Sequence, residues 1–409
     1  MFHYVMCTER LTDSCRGKQS YTDAGFPPKP ESIGAVDGKS PREIEASIVW
    51  KRVDEIIGKK GSKTGAMLFS GKVEPADICQ GQLGDCWLLS ALSCLAGKEN
   101  AVQEVFITTQ FNTYGKYKIR LYDKPKKRFE YLDIDDWIPI DAAEGTCVFA
   151  KPNGDEAWVL LLEKAFAKFK GSYEGLDGGS SLWALEVLTG DYCFKIQTDA
   201  LGKEWGLYEL VHVEKKNPAS QHDYAVALED MEKKFTLDDV FEVMLKSARS
   251  GGIMGAMSAP GSDSENTDGI VHGHAYSILN VAEVEGIKLV QMRNPWGSFE
   301  WTGGWSDTSP EWSAHPKIAA ALGWADRDDG VFWMEYSDFQ QYFKSIDFCR
   351  KSKGWDDLTL DVHEDMPCTG PCYGCMEGCA SYWCMCKGVA AVFAAPPTHT
   401  FSGEHEGCC

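Results

Sequence analysis

Cysteine chemistry at a carbonyl needs three things: a stabilised thiolate, an imidazole to share its proton, and a third group to orient that imidazole. The stretch "DICQGQLGDCWLLSALSCL", Asp77 to Leu95, meets the first requirement. A helix beginning at Cys86 puts Leu88, Leu92 and Leu95, helped by Leu89 and Ala91, on one buried face, with Asp85 at the N-cap. Cys86 then lies in the first turn, where unpaired backbone N–H groups and the positive end of the helix dipole favour a thiolate. Gly81 and Gly84 let the backbone approach a substrate, and the Gln80 amide can donate to a developing oxyanion. Cys79, Cys94, Cys147 and Cys193 read as small buried hydrophobes.

His274 begins the strand-like "HAYSILNV", and the return segment "IKLVQMRN" ends at Asn294. A hairpin centred on Glu285 sets His274 opposite Trp296, with Asn294 two residues away on the same face. A turn centred between Glu285 and Gly286 would put His274 and Asn294 on opposite faces, so a triad requires the first register. His272, nearer the preceding loop, competes for the role of base.

These residues must be carried by two unlike domains. Length and an apolar content of 44% allow sizeable cores. Residues 1–40 form an irregular lead-in, and helical patterning starts at "PREIEASIVWKRVDEII". A long periodic helix covers Glu156 to Tyr173 and ends near Gly171, followed by the Gly/Ser hinge candidate at residues 175–182. From about residue 183 the texture turns to strands, with one further helix within "FTLDDVFEVMLKSAR".

The formal charge of -20 opposes nucleic acid and anionic lipid, and no segment has the apolar length of a membrane span. With no signal-peptide pattern at the N-terminus, the sixteen cysteines are expected as thiols in a reducing cytoplasm.

Three segments, "QGQLGDCWLL", "GHAYSILNV" and "RNPWGSFEWTGGWSD", resemble the calpain family of papain-like cysteine proteases, from about residue 40 to 350. The resemblance implies an α+β papain-like fold with a cleft between subdomain 41–181 on the cysteine side and subdomain 182–351 on the histidine side. It also implies Cys86 as nucleophile, His274 as general base and acid, Asn294 as orienting group, and Gln80 with the Cys86 N–H as oxyanion hole. Trp296 would sit beside the cleft, and Gly179 and Gly273 would hold the substrate strand. The expected activity is limited cleavage of protein substrates by an intracellular, calcium-responsive endopeptidase.

Regulatory calcium is implied in both subdomains, and hard oxygen ligands suit it. Asp77 and Glu156 match the first site, with carbonyls around Ser70 and Lys72; Glu300, Asp307 and Asp329 match the second. The chain departs from the family in two places. Val331 stands where the second motif has a carboxylate, and Pro75 where the family often has an arginine; the two belong to a charge link between the subdomains. Asp328 is a substitute ligand for the second site. There is no D-x-[DN]-x-[DN]-G loop, so no EF-hand switch is expected here.

Eight cysteines fall between Cys368 and Cys409 in the tail 352–409. Its spacings are compatible with zinc or another soft metal, with lipidation that would bring the chain to a membrane, or with an irregular thiol-rich segment. Two further readings compete with the protease: a catalytically weak, protease-shaped binding or scaffold protein localised by that tail, and acyl transfer to an amine.

Overall fold

The computed structural model describes residues 20–35, 41–57, 65–81, 83–152, 154–199, 202, 204–214, 224–262, 264–327 and 329–350. The tail, with its zinc and lipidation readings, and Asp328 lie outside the described residues. The architecture is α+β: Cys86 starts a helix in a half of mixed helices and short sheets, and His274 and Asn294 flank strands of one large sheet.

The helix Cys86–Ala96 is enclosed on all sides, with every residue from Trp87 to Ala96 buried, Ser90 and Ser93 included. Its leucine spacing suggested only a single buried face. The expected long periodic helix runs Trp158–Lys170 and stops at Gly171, which takes φ 103, a left-handed conformation suited to glycine. The Ser180 side chain accepts from Trp183 N–H to start the helix Ser181–Thr189. The strand texture read from residue 183 therefore begins only at Tyr192.

The expected helical run after Pro41 is interrupted. Pro41–Ser47 and Val53–Ile57 are helical, whereas Ile48–Arg52 pairs antiparallel with Trp137–Asp141. β-Branched Ile48 and Val49, given a partner strand, override the helical period.

The sheet has eight strands in the spatial order Val331–Glu335, Ile287–Arg293, Ala275–Val284, Ile253–Ser258, Phe343–Arg350, Tyr192–Thr198, Trp205–Glu214, Tyr224–Phe235. All neighbours are antiparallel. The helix Cys86–Ala96 lies against strands Ile253–Ser258 and Ala275–Val284. Cys94 Sγ donates to the Met254 carbonyl at 2.9 Å, and Ser277 Oγ donates to the Ser90 carbonyl at 3.1 Å. Buried Arg293 reaches from the sheet to the Ile78 carbonyl at 3.2 Å and to Ser93 Oγ at 3.5 Å. These ties hold the cysteine helix at a set height on the histidine sheet.

The hairpin between His274 and Asn294 departs from the register that a triad was said to need. Val284 pairs with Ile287, so the loop is Glu285-Gly286, both at positive φ (52 and 81). That two-residue turn alone would send His274 and Asn294 to opposite faces. The register then shifts between Ile278 and Asn280, and beyond it Ile278 pairs with Met292 and Ser277 with Arg293. Leu279 is the extra residue of a β-bulge, which restores the shared face at the His274 end.

Candidate active site

Cys86 is the first residue of its helix and is half-buried. Asp85 occupies the N-cap position, but its side chain makes no capping bond; its carbonyl accepts from Leu88 and Leu89 N–H at 2.8 and 3.1 Å. The preceding turn is tightly packed. A Cβ on Gly81 would lie 1.8 Å from the Phe149 carbonyl oxygen, and one on Gly84 would lie 2.4 Å from Asp177 Oδ1. Backbone on the facing segment makes glycine a steric requirement at Gly81, whereas at Gly84 the Asp177 carboxylate would have to move aside.

His274 and Asn294 are both buried, and His274 Nε2 lies 3.0 Å from Asn294 Oδ1. Two further bonds fix the amide's orientation: Trp296 N–H donates to Asn294 Oδ1 at 3.0 Å, and Asn294 Nδ2 donates to the Phe299 carbonyl at 3.2 Å. Asn294 Oδ1 is thus an acceptor, Nε2 carries the imidazole proton, and Nδ1 is the basic nitrogen. His272 instead pairs through Nε2 with Thr267 Oγ1 at 2.9 Å.

Trp296 stands over the imidazole, with ring centroids 4.5 Å apart. Its indole Nε1–H donates to Gln80 Oε1 at 2.8 Å, and Gln80 Nε2 donates to the Leu83 carbonyl at 2.8 Å. With Oε1 held, the Gln80 amide keeps its N–H side toward the segment that leads to Cys86. Gly179 packs on Trp87, where a Cβ would come within 2.3 Å of the indole. Gly273, at φ 58, donates its N–H to the Ala259 carbonyl at 2.8 Å.

Asp77 and Glu156 lie together. Asp77 Oδ2 accepts from Glu74 N–H at 2.7 Å, and Glu156 accepts from Trp158 Nε1 at 2.8 Å and from Ser70 N–H. Burial raises both carboxyls, and the neighbouring Asp77 charge helps push Glu156 up to about 7. Two crowded carboxyls beside the backbone at residue 70 form a hard-oxygen set that a divalent cation would relieve, so the residues fit calcium.

In the second set Glu300 Oε1 accepts from Asp329 and Gly330 N–H at 3.1 and 2.7 Å, which folds this carboxylate onto backbone donors. Asp307 is raised by burial and by the nearby Asp326 and Asp329 charges. Val331 brings no side-chain oxygen. Among the described residues no three His, Cys, Asp or Glu side chains are arranged to hold a metal ion, so backbone carbonyls would have to complete either set.

Sequence reasoning missed three features: the Arg293 tie, the contact between Asp85 and Glu163, and Phe299, which is exposed at φ 60 with its ring 5.8 Å from that of Trp296. Glu163 carried a signal, an acid within the apolar run "VLLLEKAFAKF" of a helix expected to be buried.

Residues 21–350 match the profile of the calpain family cysteine protease. The chain is 37% identical over 339 residues to the calpain-type cysteine protease DEK1 of Arabidopsis thaliana, covering 82% of this chain and 14% of that protein. It is 32% identical over 370 residues to calpain-9 of Rattus norvegicus, with 87% and 46% covered. To the calpain-1 catalytic subunit of Homo sapiens it is 32% identical over 343 residues, with 80% and 42% covered. The chain therefore spans less than half the length of these relatives.

Proposed function

Because this chain belongs to the calpain family of cysteine proteases, we propose that it is an intracellular, calcium-responsive endopeptidase making limited cuts in protein substrates. Cys86, His274 and Asn294 would act as its triad. The observation that carries this reading is the His274–Asn294 bond of 3.0 Å, with the amide orientation fixed by Trp296 and Phe299. It leaves Nδ1 of His274 as the base for a thiol at the start of the neighbouring helix.

In the first half-reaction the Cys86 thiol gives its proton to His274 Nδ1, and the thiolate sulfur bonds to the scissile carbonyl carbon. The carbonyl oxygen becomes an oxyanion, stabilised by the Cys86 backbone N–H and the Gln80 amide. The C–N bond then breaks as His274 returns its proton to the leaving amine. In the second half, water attacks the thioester, its proton passing to His274, and the C–S bond breaks to release the acid and restore Cys86. Trp296 excludes water from the imidazole and holds Gln80.

Asp77 and Glu156 would hold calcium in the first half of the core, and Glu300, Asp307 and Asp329 in the second. When bound, calcium neutralises these crowded acids. Asp77 lies three residues before Gln80 in sequence, and the Gly330 carbonyl beside Asp329 accepts from Asn294 N–H at 2.9 Å. Each proposed set therefore adjoins a segment that carries a site residue.

Product analysis of an unfolded protein substrate by mass spectrometry tests the reaction. Hydrolysis yields fragments whose masses sum to the substrate plus water for each cut. Amine adducts would favour acyl transfer, and intact substrate retained on the chain would favour the binding-protein reading.

A further inference from the structure

Directly behind Cys86 lies a pair of acids that the reaction above does not use. Asp85 and Glu163 are 1% and 2% exposed. Apart from its own backbone N–H, no N–H or O–H donor among the described residues meets an Asp85 oxygen, and the side chain it meets is the Glu163 carboxyl. Two carboxylates are both acceptors, so the contact requires a proton on one of them. Burial without a cation also forbids two charges. Facing the pair are Asp177 and Tyr173; Tyr173 also feels Asp135 and Cys147, none of these carries positive charge, and the buried Lys164 cation is paired with Asp135.

Two observations say where the proton resides. Glu163 Oε1 accepts from Ala150 N–H at 2.8 Å, which leaves its other oxygen to carry the proton. Asp85 stands at the start of a helix of eleven residues, where the dipole favours negative charge. Burial pushes both carboxyls up, and the neighbouring Asp85 charge adds to the rise of Glu163, well above the carboxylate range.

We propose that Glu163 is a positioning residue: its carboxylic acid donates a hydrogen bond to the Asp85 carboxylate and so holds the Gly84-Asp85-Cys86 turn from which the thiol projects. The proposal deepens the functional reading and rests on it for the role of Cys86. The other side of the turn is held by backbone, with Gly178 N–H donating to the Gly84 carbonyl at 2.9 Å.

The sign of the pH dependence follows from the raised Glu163. The folded chain keeps a proton that the unfolded chain releases above about pH 4–5, so stability falls as pH rises through neutrality. Glu163→Gln offers an amide N–H to Asp85 and a carbonyl to Ala150, with no proton to lose. Glu163→Leu fills the space without a donor.

The test compares the full chain with both variants. Thermal midpoints are followed from about pH 5 to about pH 9, and the rate of iodoacetamide alkylation at Cys86 is read at its peptide by mass spectrometry. Glu163→Gln should alkylate within about twofold of wild type, and its midpoint should fall less steeply with pH; Glu163→Leu should slow alkylation by roughly tenfold. A Glu163→Gln midpoint parallel to wild type at all pH values would overturn the shared proton, and wild-type alkylation in a folded Glu163→Leu would overturn the positioning role. If Glu163→Leu does not fold, Glu163→Gln still decides: its midpoints test the shared proton, and alkylation slowed roughly tenfold or more despite the retained donor would overturn positioning through this hydrogen bond. Alkylation needs no turnover, so an absence of proteolysis would count against the functional reading and leave this test standing.

Discussion

Trp296 Nε1 donates to Gln80 Oε1 at 2.8 Å, joining a residue beside the imidazole to one just before the nucleophile across 216 positions of sequence. One indole therefore orients the amide assigned to the oxyanion and shields the base assigned to the thiol. Trp296→Phe keeps the ring but removes the N–H, and should lower kcat/KM roughly tenfold as Gln80 loses its anchor. Gln80→Ala should lower kcat by about a hundredfold with little change in KM, as expected of a donor that acts in the transition state. Steady-state kinetics on a fluorogenic peptide reads both, and an unchanged kcat in Gln80→Ala would remove it from the site.

Asn294→Ala leaves the imidazole without its acceptor and should reduce kcat on the order of a hundredfold. Deleting Leu279 tests the same contact through the backbone. Without the bulge the Glu285-Gly286 turn sends His274 to the face away from Asn294, and activity should be lost while circular dichroism still reports a folded chain. Near-normal activity in the deletion would show that the bulge does not set the site.

That bulge marks the limit of what the sequence could supply. Residue types and order pointed to Cys86, His274 and Asn294, because a thiol at a helix start and a His/Asn pair on one hairpin are local patterns. The sequence left two registers open at "EVEG"; the observed turn takes one and the tertiary contact needs the other, and a single extra residue resolves the conflict. The helix Cys86–Ala96 was legible in place and length, but not its complete burial, since the sheet that covers its serine face comes from residues far away in sequence. Ile48–Arg52 turned to strand for the same reason, its partner at Trp137–Asp141 being invisible to local periodicity.

Calcium binding to Asp77 and Glu156 should raise the thermal midpoint. At about a hundredfold excess over Kd one site adds about 2.7 kcal/mol, and Glu156→Gln should lose most of that increment. Differential scanning fluorimetry in calcium and in chelator measures it. An equal calcium shift in wild type and Glu156→Gln would place the ion elsewhere.

The described cysteines should differ in reactivity. Burial pushes Cys94 up to about 12 and Cys193 well above the thiol range, whereas Cys79 and Cys86 are half-buried. Brief alkylation of the native chain at neutral pH should mark the Cys86 peptide and spare those of Cys94 and Cys193. Equal labelling of all three would contradict the burial that positions the helix.

The most direct measurement is hydrolysis of an unfolded protein substrate by wild type and Cys86→Ala, under reducing conditions, across a calcium titration that starts in chelator. The account predicts cleavage that rises with calcium and is absent in Cys86→Ala at every concentration. Cleavage by Cys86→Ala, or none by wild type at any calcium level, would contradict it.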